Sequence, residues 1–159
     1  MKRRPGVPDP VFERADAPTL AMSTVRLDAA TLRQLLVFER TLRSLAPPGC
    51  AAEQTAQAHA AAVRASGVAS AEVEAPLALL RRFAANRSLS ARFRDRLSQL
   101  SARAAIDPVA AEQAQEVQRR LLALDVAVLG REDAATRRVL ESHASEILAL
   151  FAGSATPQG

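Results

Sequence analysis

The clearest pattern in this chain is a helical repeat of apolar residues between positions 107 and 130. Asp107-Pro108 opens the segment and Gly130 closes it. Between them, apolar residues recur at alternating steps of four and three: Ala110, Ala114, Val117, Leu121, Leu124 and Val128. This spacing predicts an α-helix over 108–129. Its second half is apolar nearly all round, which predicts a place at the centre of a bundle or at an oligomer interface.

The same periodicity predicts further helices along the rest of the chain. Their predicted spans are 28–46, 51–66, a third beginning or bending near Pro76, 89–105 and 134–152. The segment 86–88, Asn-Arg-Ser, is interpreted as a break between the third and fourth helices, with one unbroken helix as the alternative. The predicted fold is therefore an all-α, compact bundle of five or six helices.

Local signals define the ends of the first two helices. Asp28 is predicted to cap the first helix by accepting hydrogen bonds from backbone N–H groups. Gly67 is predicted to end the second helix in the left-handed conformation. The second helix is rich in alanine, and its predicted apolar face is thin, consisting of Ala56, Ala60 and Val63.

The two ends of the chain lack helical periodicity. Residues 1–26 are rich in proline and charged residues, and 154–159 form a short polar stretch. Such segments cannot bury enough apolar surface to offset the entropy of ordering. The sequence therefore predicts disordered tails at 1–26 and 154–159, on either side of a single domain at 27–153.

Composition narrows the class of protein. The chain has 159 residues, of which 48% are hydrophobic and 24% charged, as in an ordinary globular domain. No apolar run is long enough to span a bilayer, and the basic start is not followed by the apolar segment of a signal peptide. A single cysteine, Cys50, fits a reducing compartment. These features predict a cytoplasmic protein.

Charge is unevenly distributed, and this is the strongest functional signal. Residues 76–105 carry seven arginines and one aspartate, whereas 106–153 have a net charge of −3. In the predicted fourth helix, three arginines fall in one row beside the apolar stripe. Guanidinium groups bind carboxylates and phosphates in bidentate fashion. The candidate partner-binding residues are therefore Arg92, Arg96, Arg103, Arg81 and Arg82.

Three interpretations of these arginines remain open. The favoured one is that they pair internally with the acidic helices that follow, or are simply solvated. The second is an acidic protein partner. Nucleic acid ranks last, because the predicted third and fourth helices lack the glycine-containing turn typical of a helix-turn-helix and the remainder of the chain is acidic.

Two polar residues interrupt apolar positions and are predicted to have structural roles. Asp125 is expected to form an ion pair or to lie at the edge of a groove, or to fix helix register or oligomeric state. His143 is expected to be a core or interface histidine that makes one hydrogen bond. No metal site is predicted, because His143, His59 and Cys50 show no paired-ligand spacing.

No motif for catalysis or cofactor binding is present in the sequence. It contains no glycine-rich phosphate loop, no Gly-x-Ser-x-Gly elbow and no paired-cysteine motif. The favoured function is a non-catalytic helical interaction or scaffold module whose partner is a protein, either an acidic surface or a second copy of the chain. The alternatives are a nucleic-acid-associated protein that uses the arginine-rich segment 81–103, and a small helical enzyme that acts on an anionic substrate.

Overall fold

The computed structural model describes residues 25–129 and 132–151, except for the side chains of residues 125 and 127–129. The described residues form six α-helices and a short 3-10 turn and contain no β-strand, which confirms the predicted all-α class. The helices are α1 Ala29–Leu45, α2 Ala52–Ser66, α3 Glu74–Ala104, α4 Pro108–Leu129, α5 Ala134–Ser142 and α6 Ala144–Phe151. Most of the two predicted tails lies outside the described residues.

One hydrophobic core joins α1, α2, the beginning of α3, α5 and α6. α1 packs against α2, and α6 packs against both α1 and α3. Each large apolar side chain that is fully buried contributes about 1.5–3 kcal/mol to stability. The largest of these side chains are Phe38, Phe83, Leu32, Leu35, Leu36, Leu77, Leu79, Leu80, Leu140 and Ile147.

The second part of α3 and the whole of α4 lie outside this core. None of the described apolar side chains between 85 and 129 belongs to the core cluster or packs against it; the contact with the core there is polar, with the Arg87 guanidinium lying over the ring of Phe83. Instead, α4 packs along residues 85–104 of α3. We call this antiparallel two-helix hairpin, residues 85–129, the arm. Its α3 half spans about 30 Å at the rise of an α-helix.

α3 is continuous, so the break predicted at 86–88 is wrong and the alternative of an unbroken helix is right. Asn86 Nδ2 donates a hydrogen bond of 2.9 Å to the carbonyl oxygen of Leu124 in α4. Arg87 forms an ion pair with Glu141 of α5. Because these contacts hold the segment from two sides, they outweigh the weak helix propensity of asparagine and serine.

The predicted helix over 134–152 is two helices that meet at His143. Its backbone adopts a non-helical conformation at the end of α5, and α6 begins at the next residue. His143 Nδ1 lies 3.0 Å from the carbonyl oxygen of Val139. The backbone N–H of His143 donates to the same oxygen. The carbonyl of Val139 thus accepts the last helical N–H bond of α5, and a ring protonated at Nδ1 adds a second hydrogen bond to it.

The predicted caps of the first two helices are confirmed. The Asp28 carboxylate accepts a hydrogen bond of 2.7 Å from the backbone N–H of Thr31. Gly67 ends α2 with φ at 73°, in the left-handed region that glycine adopts without strain. α3 begins at Glu74, so Pro76 lies in the first helical turn, where its missing N–H removes no helical hydrogen bond.

α2 buries a different face from the predicted one. Of the predicted residues, Val63 packs against the core, whereas Ala56 and Ala60 are exposed. The helix buries Ala58 and Ala62 instead. In a segment where alanine recurs on every side, hydrophobic periodicity does not select the buried face.

The prediction that the second half of α4 occupies the bundle centre is wrong. Leu122 and Val126 are 60% and 69% exposed, one helical turn apart. The partly buried residues of this half, Leu121 and Leu124, are the ones whose spacing places them toward α3. The alternative of an oligomer interface stays a prediction.

Candidate interaction surface on the arm

Three of the five candidate arginines lie in one row along the arm. Arg92, Arg96 and Arg103 are all exposed, and steps of four and seven residues place them on one side of α3. Arg103 Nη2 lies 3.4 Å from Asp107 Oδ2. Within the described parts of the chain, Arg92 and Arg96 form no ion pair and no hydrogen bond through their side chains. The row therefore contains two cations that have no partner in the part of the chain that the structure describes.

The structure separates the other two candidate arginines from this row, because Arg81 and Arg82 lie beside the core. Arg81 Nη2 is 3.6 Å from Glu39 Oε2. Arg82 is half-buried, and its charge acts on the carboxyl group of Glu132. Arg81 therefore lies beside a buried carboxylate of α1, and Arg82 is close enough to the buried Glu132 for its charge to oppose the rise that burial causes in the pKa of that carboxyl group, in keeping with internal pairing at this end of α3.

A groove of about 210 Å³ runs beside the arginine row, between α3 and α4. Its residues are Phe93, Arg96, Leu100, Gln113, Glu116, Val117 and Arg120. Leu100 is buried, and Phe93 and Val117 are half-buried, whereas Arg96 and Arg120 are exposed. The groove thus combines apolar side chains with two exposed guanidinium groups.

The carboxylate in the groove, Glu116, is already engaged by arginines of its own helix. Arg120 Nε donates a hydrogen bond of 2.9 Å to Glu116 Oε1, and Arg119 Nη2 lies 2.9 Å from Oε2. The hydrogen bond from Arg120, followed by the charge of Arg119, lowers the pKa of Glu116 below its usual value. Glu116 is therefore ionised at neutral pH, and both its oxygens are directed at α4 arginines.

The arm also exposes large apolar side chains at its tip. Ile106, in the turn between α3 and α4, is 88% exposed, and Val109 in the first turn of α4 is 60% exposed. Isolated exposed apolar residues are normal on protein surfaces. Here two lie at the tip and two more, Leu122 and Val126, lie on α4, so exposed apolar surface is concentrated on the arm.

Sequence reasoning missed a buried carboxylate in α1. Glu39 is 3% exposed and accepts a hydrogen bond of 2.8 Å from Arg43 Nε. Its spacing offered the signal, because Glu39 follows the buried residues Leu32 and Leu35 by seven and four positions. A charged residue at that spacing must be paired when it is buried.

Sequence reasoning also missed Glu132, a second buried carboxylate that precedes α5. It is 7% exposed, and its Oε2 has no hydrogen-bond partner among the described residues. Burial raises the pKa of Glu132 above 4.5, opposed by the charge of Arg82 and reinforced by that of Asp133.

We predict that Glu132→Gln raises the melting temperature at pH 7. Because its folded-state pKa is raised, the folded protein favours the protonated form of Glu132. The stability that this provides is fully present below the unfolded-state pKa and is lost as the pH rises through the folded-state pKa, whereas the glutamine of the variant stays neutral at every pH. The difference between variant and wild type should therefore vanish below about pH 4.5. Thermal unfolding at several pH values tests this. Glu112→Gln, an exposed control on α4, should show no such trend, and a constant difference at all pH values would contradict the prediction.

The predicted structural role of Asp125 concerns a side chain that lies outside the described residues. Within the described residues, no three His, Cys, Asp or Glu side chains gather where they could hold a metal ion.

None of the described helices has the length and apolar character needed to cross a membrane. No protein-family model matches the chain, and no curated protein and no solved structure is significantly similar to it.

Proposed function

We propose that this protein is a non-catalytic helical interaction module whose core acts as a scaffold and whose arm binds a protein partner. The observation that carries the proposal is the position of the arm: none of its described apolar side chains joins the hydrophobic core cluster, yet it holds the four most exposed large apolar side chains in the described residues. An apolar surface that does not stabilise the fold is typical of a contact site for another protein.

Self-association is the form of this function that the outer face of α4 favours. Leu122 and Val126 lie on the side of α4 that is turned away from α3, so a second copy can approach them without displacing the hairpin partner. In a two-fold symmetric dimer the same patch is used by both copies, so the interface buries Leu122 and Val126 from each copy. The side of α4 turned away from α3 is about 30 Å long and one helix, about 10 Å, wide. It therefore offers roughly 300 Å² per copy, below the ~800 Å² of a standard interface, so we expect a weak dimer that forms at high protein concentration.

Light scattering at low and high protein concentration tests this form of the function. We expect the average mass to rise with concentration from 16.9 kDa toward about twice that value. The double variant Leu122→Glu/Val126→Glu should remain monomeric, because two buried carboxylates would oppose the dimer.

The matched control is Val37→Glu, which places a carboxylate at an exposed apolar position of α1, away from the arm. It should associate as the wild type does. A wild-type mass that stays monomeric at high concentration would count against self-association, as would an equal rise in mass for the double variant.

A further inference from the structure

We propose that the groove between α3 and α4 receives an acidic amphipathic helix from a protein partner. This inference rests on the proposed function, since it assumes that the arm is the binding element. It concerns a different surface from the outer face of α4, so the two surfaces can be tested separately.

The shape of the groove favours a helix as its occupant. The groove lies between two antiparallel helices, so a third helix laid along it would touch both. Its apolar residues Phe93 and Val117 are only partly covered by the hairpin itself, and Leu100 lies buried beneath them. Exposed apolar residues lie beyond both ends, with Leu89 toward the core and Val109 at the tip. The level of residue 89 is separated from that of 103 by about 21 Å, or four helical turns.

The charge of this side of the arm favours an acidic occupant. The charged residues of the groove, of the adjoining arginine row and of their ion pairs are five arginines and two carboxylates, with a net charge of +3: Arg92, Arg96, Arg103, Arg119, Arg120, Asp107 and Glu116. The carboxylates of Glu116 and Asp107 are engaged by arginines of the arm. Arg96 lines the groove and forms no ion pair in the described residues. A partner helix that carries a carboxylate beside its apolar side could therefore form an ion pair with the Arg96 guanidinium.

The same charges disfavour two other occupants. A second copy of the arm would bring the same net positive charge against this side, which opposes pairing through the groove. A nucleic acid would place phosphates beside Glu116 and over apolar side chains that contribute nothing to phosphate binding. An acidic amphipathic helix matches both the cationic and the apolar parts of the groove.

Binding of two synthetic helices to the full chain tests the proposal. The probe is a labelled peptide of about 18 residues with leucine on one face and glutamate on either side of it. The matched peptide has lysine at every glutamate position. Fluorescence anisotropy should show saturable binding of the glutamate peptide and binding of the lysine peptide weaker by about tenfold or more.

The charge-reversal variant Arg96→Glu should weaken binding of the glutamate peptide by about tenfold and strengthen binding of the lysine peptide. Arg94→Glu is the control, because Arg94 is also exposed but lies about 200° around α3 from Arg96. It carries the same change in net charge and should leave both affinities within about twofold of wild type. Circular dichroism checks the fold of each variant, and Arg96→Ala serves as the milder substitution.

Five results would overturn the proposal. The first two are absence of glutamate-peptide binding and equal affinity for the two peptides. The third is an equal effect of Arg94→Glu and Arg96→Glu, and the fourth is binding of a labelled DNA duplex by the wild-type protein that is lost in Arg96→Glu. A fall in the light-scattering mass of Arg96→Glu would assign the groove to a second copy and also overturn it. Leu122→Glu/Val126→Glu should bind the glutamate peptide normally, so failure of self-association and failure of the groove are distinguishable.

Discussion

Replacing Phe83 by alanine is expected to lower the free energy of unfolding by about 3–5 kcal/mol. Phe83 is 1% exposed in the part of α3 that passes through the core. The substitution removes the transfer free energy of a whole ring and leaves a cavity that neighbouring helices fill only in part. It also removes the ring over which the Arg87 guanidinium lies, at 5.3 Å from the centroid. Urea unfolding followed by circular dichroism measures the loss.

Phe93 is the matched control, because it is the same residue type ten positions later in the same helix. It lies on the arm and is half-buried. Phe93→Ala should therefore cost about 1 kcal/mol, in proportion to the smaller apolar area that it covers. Equal losses for Phe83→Ala and Phe93→Ala would show that the arm is as much a part of the stabilising core as the beginning of α3.

The different losses of unfolding free energy expected for Phe83→Ala and Phe93→Ala follow from the division of the molecule into core and arm. A two-helix hairpin buries one seam, so its local unfolding requires less free energy than unfolding of the core. A binding element with that property can adjust to a partner without loss of the scaffold. The division also explains why half-buried Phe93 is available to a partner while Phe83 and Leu80 are not.

Helical periodicity predicted the class of fold but not the place of α4. The pattern identifies the apolar side of a helix and does not identify the helix that it meets. α4 was expected at the bundle centre because its second half is apolar all round, yet Leu122 and Val126 face outward. The continuity of α3 at Asn86 was decided by a hydrogen bond to Leu124, 38 residues away, which no local signal shows.

The arginine row was predictable only in part, because spacing shows which residues share one side of a helix and does not show what those residues contact. Spacing alone placed Arg92, Arg96 and Arg103 on one side of a helix, and the structure has them there. Spacing did not reveal that Arg81 faces a buried carboxylate of α1, since that contact is tertiary. Whether the row binds a partner remains the subject of the peptide experiment.

Replacing Arg43 by methionine is expected to destabilise the protein by about 3–5 kcal/mol, because it leaves the buried Glu39 carboxylate without its principal partner. Arg43 Nε lies 2.8 Å from Glu39 Oε1, whereas Arg81 approaches the other oxygen only to 3.6 Å. Arg43 also donates a hydrogen bond to the carbonyl oxygen of Leu150 and lies over the ring of Phe151. One guanidinium thus connects α1 to the end of α6, and its loss affects both contacts.

Two further variants separate the charge from the packing. Arg81→Met should cost about 1 kcal/mol or less, because the Arg81 side chain is half-exposed and forms no hydrogen bond to Glu39. The double variant Arg43→Met/Glu39→Met should recover most of the loss, since two apolar side chains of similar volume remove the buried charge together with its partner. If the double variant unfolds as readily as Arg43→Met alone, the contacts of Arg43 with α6, rather than the stranded carboxylate, account for its contribution to stability.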